Sequence, residues 1–119
     1  MAAHNETGRW GEEVAANYLI RKGYTIVERD WKSGHRDIDI IAVDENRTVV
    51  FVEVKTRRNR LFGEPEESVD YRKLRNLKAA INHYVKYRRI DDEIRFDIIT
   101  VVGTIGSEPE VEHLIDVPL

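Results

Sequence analysis

The sequence contains no cysteine, which excludes disulfides and thiolate metal sites and makes a reducing cytosol the natural home. No apolar stretch approaches the roughly 18 residues that a membrane helix needs. The segment Met1-Ala-Ala-His-Asn-Glu-Thr-Gly8 has neither the basic start nor the apolar run of a secretion signal. A cytoplasmic protein with no membrane attachment is expected. Internal repeats, low-complexity runs and Pro/Ser-rich linkers are also missing. At 119 residues, the chain suits a single domain over 1–119 with one core.

Charge is abundant instead. Charged residues make up 34% of the chain and hydrophobic ones 41%, against an ordinary charged share of about 25%. The net charge is −3, but it is unevenly spread: from Lys55 to Arg89 eleven basic residues meet four acidic ones, a local excess of +7. Such a segment can hold phosphates whatever the whole-molecule sum. A solvated helix with its flanking loop is the plainer reading, and charge alone does not choose between them.

Hydrophobic spacing predicts a helix from Gly8 to Lys22, with Thr7 as cap and Gly23 in a left-handed C-terminal position. Trp10, Val14, Ala15, Tyr18 and Leu19 form its apolar stripe. A short strand is expected over Tyr24–Arg29, then a loop through Lys32-Ser-Gly-His35. Two strands follow, Asp37–Val43 and Thr48–Lys55, joined by the turn-like Asp44-Glu-Asn-Arg47. After a loop containing Gly63 and Pro65, Leu74, Leu77, Ile81, Tyr84 and Val85 keep helical spacing within a second helix over Val69–Arg88. Ile94–Val102 reads as a strand, and Val111–Ile115 as a short extra one. The order α-β-β-β-α-β implies an α/β fold with a mixed sheet flanked by helices.

Chemistry concentrates on Val49-Val-Phe-Val-Glu-Val-Lys55. Alternation places Val49, Phe51, Glu53 and Lys55 on one face and Val50, Val52 and Val54 on the other. Both faces begin apolar, the mark of a central strand covered on each side. Glu53 and Lys55 thus interrupt a buried face, where charges need partners, a metal or an open cleft. In Asp37-Ile-Asp-Ile-Ile-Ala-Val43, an even antiparallel register sets Val43 against Val49, Ile41 against Phe51, Asp39 against Glu53 and Asp37 against Lys55. An odd register would set carboxylates against valines, so the pattern chooses the even one. Two carboxylates about 5 Å apart repel unless a cation lies between them. Hard oxygen ligands suit Mg²⁺ or Mn²⁺, and Lys55 can orient a water or stabilise charge growing on phosphorus. The alternative is an edge hairpin whose charges point outward as simple salt bridges. Glu12 borders the first helix's buried stripe and is either a further member of the site or a helix-start acid favoured by the dipole.

Gly8-Arg-Trp-Gly-Glu-Glu-Val-Ala15, Arg36-Asp-Ile-Asp-Ile-Ile-Ala42, Phe51-Val-Glu-Val-Lys-Thr-Arg57, Phe62-Gly-Glu-Pro65, Ser68-Val69 with Lys73, and Arg95-Phe-Asp97 together resemble the bacterial YraN family. That family is similar to Holliday-junction resolvases and belongs to the PD-(D/E)xK, restriction-endonuclease-like superfamily. The resemblance implies a restriction-endonuclease-like core in which Asp39, Glu53 and Lys55 are catalytic. It implies a Mg²⁺ or Mn²⁺ site of Glu12, Asp39, Glu53 and the Val54 carbonyl. Lys73 matches a basic residue facing the phosphate, with Arg57, Arg58 and Lys78 as further backbone contacts. The family usually has Gly-Glu where this chain has Arg36-Asp37, which leaves the part of Asp37 open.

The activity implied is a metal-dependent endonuclease acting on DNA phosphodiester bonds, branched or single-stranded DNA included. The alternative is a nucleic-acid-binding module with little or no turnover, and a protein-interaction domain is a third reading. A homodimer is left open, because two sites per molecule suit a branched substrate. His4, His35, His83 and His113 are expected at the surface, and Trp10 in the core.

Overall fold

The computed structural model describes residues 2–34, 36–59 and 71–119. His35, Arg60, Phe62-Gly-Glu-Pro65 and Ser68-Val69 lie outside the described residues. Chain order is α1 (Ala2–Arg21), β1 (Thr25–Ser33), β2 (Arg36–Val43), β3 (Val49–Arg57), α2 (Tyr71–Arg88), β4 (Ile94–Val102) and β5 (Glu110–Leu114). This is the expected α-β-β-β-α-β order with the extra strand at the end. The strands form one mixed sheet in the order β1-β2-β3-β4-β5. Only β3 and β4 run parallel, joined by the crossover through α2.

The central strand is covered on both faces, as its apolar composition demands. Val50 and Val52 pack under α1 with Ala15, Ala16 and Leu19. Val49 and Phe51 pack under α2 with Leu77, Ala80, Ile81 and Tyr84. Trp10 joins the α1 side, as expected of a core aromatic. No described helix is long and apolar enough to cross a membrane.

Three expectations need correction. First, α1 starts at Ala2, so Thr7 lies inside the helix and does not cap it. Ala2, Ala3 and Glu6 are good helix formers, and nothing between them breaks the hydrogen-bond ladder. The C-terminal expectation stands: Gly23 has φ +94°, and bonds from Gly23 N to Ile20 O and Tyr24 N to Leu19 O close the helix in a Schellman arrangement.

Second, β1 runs on through Lys32 and Ser33 rather than ending at Arg29. A register shift between Ile26 and Glu28, as at a bulge, is followed by continued pairing with β2 as far as Ser33↔Arg36.

Third, His113 is not a surface residue. Its side chain is 6% exposed, because β5 lays it over the α1 side beside Tyr18. His83 is exposed as expected and bonds Ser33.

Candidate active site

The β2–β3 register is the even one: Val43 faces Val49 and Ile41 faces Phe51. The ladder then stops at Ile40↔Val52, so Asp39 and Glu53 are not a cross-strand pair. Asp39 turns into the opening between the strands, and its Oδ2 accepts the Val54 amide at 2.8 Å. The N–H and C=O of one strand residue point the same way. The Val54 carbonyl is therefore directed toward the same opening. The two strands part where the acidic residues begin, and the carboxylate takes over the hydrogen bond that β2 no longer makes.

Glu53 and Lys55 are 4% and 7% exposed, the charged interruption of a buried face anticipated from alternation. On that face two ammonium groups converge on one carboxylate oxygen. Glu53 Oε2 lies 2.7 Å from Lys73 Nζ on α2 and 3.5 Å from Lys55 Nζ. Lys73 thus reaches inward to Glu53. Burial, then the neighbouring Lys73 charge, pushes the Lys55 ammonium below the usual lysine range, with Glu53 opposing. Burial also works against the charge on Lys73, but the Glu53 carboxylate outweighs it and raises Lys73.

Asp39 is pushed up to about 7, first by burial and then by the Glu53 charge, against the pull of the Val54 amide. Glu12 and Asp37 add to the same negative field. Glu12 itself is raised, by burial and then by Asp30. Among the described residues, no group of three or more His, Cys, Asp or Glu side chains is arranged to hold a metal ion. Glu12 is close enough for its charge to raise Asp39.

Asp37 departs from its expected place. Its carboxylate is 60% exposed and lies 3.8 Å from Lys32 Nζ rather than opposite Lys55, because the tight β1–β2 pairing sets Asp37 against Lys32. Arg57 ends β3 with its guanidinium on the Thr56 carbonyl, and Arg58 is exposed just beyond. Lys78 is exposed on a face of α2 well away from Lys73.

Gly11 sets the distance between α1 and the site. A Cβ built there would overlap Thr56 Oγ1, one residue beyond Lys55. Gly11→Ala is expected to cost about 1–3 kcal/mol through overpacking, with Gly11→Ala/Thr56→Ala recovering part of the loss in urea denaturation. An undiminished midpoint for Gly11→Ala would contradict this close approach.

One buried constellation was not assigned from the sequence. Asp97 is fully buried and accepts from Arg95 Nε and Nη2 at 2.9 Å each, from His113 Nε2 at 2.7 Å and from the Asp116 amide at 3.0 Å. A carboxylate only accepts, so Nε2 carries the proton, and Nδ1 lies 3.3 Å from the Tyr18 hydroxyl. A lone aspartate in a strand as apolar as Ile94–Val102 was the available signal.

The pattern of Uncharacterised protein family UPF0102 matches residues 11–101. A UPF0102 protein of Bacteroides thetaiotaomicron is 50% identical over 114 residues, covering 96% of this chain and 93% of that one. One from Syntrophomonas wolfei is 42% identical, covering 95% and 97%. Among solved structures, a repair endonuclease from Pyrococcus abyssi is similar with a TM-score of 0.47 and 18% identity over 77% of this chain. EndoMS in complex with double-stranded DNA gives 0.48 and 18% over 81%. This chain spans 38% of the length of each of those two.

Proposed function

This chain belongs to the Uncharacterised protein family UPF0102, the YraN family of the motif resemblance, and from the site it builds we propose that it is a divalent-metal-dependent endonuclease hydrolysing DNA phosphodiester bonds. The observation that carries this reading is the meeting of buried Glu53 and Lys55 and the half-exposed Lys73 with an Asp39 carboxyl held near 7 beside the strand opening.

The donor set fits a hard cation: the carboxylates of Asp39 and Glu53 repel each other, and the Val54 carbonyl faces the same opening. Those three groups would hold Mg²⁺ or Mn²⁺, with Glu12 adding negative field. A bound divalent ion would supply charge neutralisation on phosphate and a more acidic water. Lys55 donates to the attacking water or to the phosphoryl oxygen whose charge grows in the transition state. Glu53 holds Lys55 in place, and Lys73 balances the charge of Glu53. Arg57 and Arg58, just past the site on β3, bind backbone phosphates.

Labelled linear, flapped and four-way DNA with Mn²⁺ or Mg²⁺ tests the reading. Wild type is expected to nick one or more of them only with the cation, and Lys55→Ala to lower the rate about a hundredfold or more with its circular dichroism unchanged. Equal cleavage by both proteins would remove the proposal.

A second reading is a nucleic-acid-binding module without turnover. The inward ion pair of Lys73 with Glu53 favours it, since that lysine already offsets one carboxylate. It requires salt-sensitive DNA binding with no cation-dependent product.

A further inference from the structure

We infer that the outer face of α2 is a second track for nucleic-acid backbone, separate from the candidate site; this rests on the reading of the protein as one that engages nucleic acid. The helix Tyr71–Arg88 contains no acidic residue. At 100° per residue, Arg75, Lys78 and Lys86 lie about 140–160° round the helix from Lys73. Lys73 serves Glu53 on the sheet side, so these three face the other way. They occupy a sector of about 80° together with Asn82, and all four are exposed. No described carboxylate lies within ion-pair distance of Arg75, Lys78 or Lys86, whereas Arg88 is held by Glu28. From Arg75 to Lys86 the stripe runs about 16 Å along the axis, close to half a turn of duplex DNA.

A second observation gives the stripe shape. Tyr71, Leu74, Arg75, Lys78 and Leu119 line a hollow of about 300 Å³. The Arg75 guanidinium rests 5.3 Å from the centroid of the Tyr71 ring, and both residues are exposed. Two cations beside an exposed ring and an aliphatic floor suit a phosphate with the sugar or base attached to it. An acidic peptide would meet the same charges, but cations spread over about 16 Å of a helix that carries no acidic residue of its own suit an extended backbone that bears charge along its whole length. Lys78, placed by the sequence among the residues gripping phosphate at the site, belongs to this second track.

The test compares two variants of equal charge change by fluorescence anisotropy with labelled duplex and single-stranded DNA across a salt series. Arg75→Gln/Lys78→Gln removes the cations of the hollow, and Arg21→Gln/Lys22→Gln removes an exposed pair at the end of α1. The first is expected to weaken binding at least fivefold and to lower the salt slope by about 2. The second should change affinity less than twofold. Equal effects of the two pairs, or none from the first, overturn the inference while leaving cation-dependent nicking untouched. Stripe-dependent binding without any nicking supports the track and removes the endonuclease reading. A wild type that binds neither DNA removes both.

Discussion

Asp97→Asn is expected to lower the unfolding free energy by about 3–5 kcal/mol, the range for breaking a buried, hydrogen-bonded charge pair from one side. The amide would present a donor where Arg95 and His113 both donate, and the Arg95 guanidinium would lose its fully buried counter-charge. Burial works against the Asp97 charge, but the bonds from His113, Arg95 and the Asp116 amide outweigh it and hold the carboxyl at about 2. The folded value lies below the unfolded value of about 4. Its stabilisation is therefore present above pH 4 and lost as pH falls from 4 toward 2. Urea denaturation at pH 7 and pH 2.5 would measure both effects. A variant as stable as wild type at pH 7 would mean that the network is dispensable.

The second large effect has the opposite sign. Asp39→Asn is expected to stabilise the fold at pH 8 by about 1–3 kcal/mol while lowering cation-dependent cleavage at least a hundredfold. Burial and the Glu53 charge raise the Asp39 carboxyl to about 7, so its ionised form is disfavoured in the folded state. The cost is absent below pH 4, grows between pH 4 and 7, and is complete above 7. The asparagine keeps an oxygen for the Val54 amide and carries no charge. Denaturation at pH 8 and pH 4.5 separates the cases: the gain should appear at the first and vanish at the second. A loss of stability at both would show that the carboxylate is there for packing, not held in reserve for a cation.

Much of this architecture is readable from local pattern. The strand Ile94–Val102 is found where its apolar run places it. The two-sided burial of β3 follows from valines on one face and Val49 with Phe51 on the other. The even register appears where apolar residues meet. Where the reading departs, a distant element intervenes. Asp37 goes to Lys32 because β1 extends to Ser33 and pairs with β2 there. His113 is internal because Tyr18, 95 residues earlier, lies across it. Gly11 looked like part of a motif, and its cause is Thr56.

The sequence by itself determined which face of β3 carries Glu53 and Lys55, since alternation is a property of the extended backbone and needs no neighbour. Only the tertiary structure decided that β2 leaves β3 after Ile40 and that Asp39 bonds the Val54 amide. It likewise decided that Lys73 approaches Glu53 from α2 and that Asp97 gathers four donors. Those outcomes depend on burial and on charges brought together from remote segments, and both arise only when the layers close.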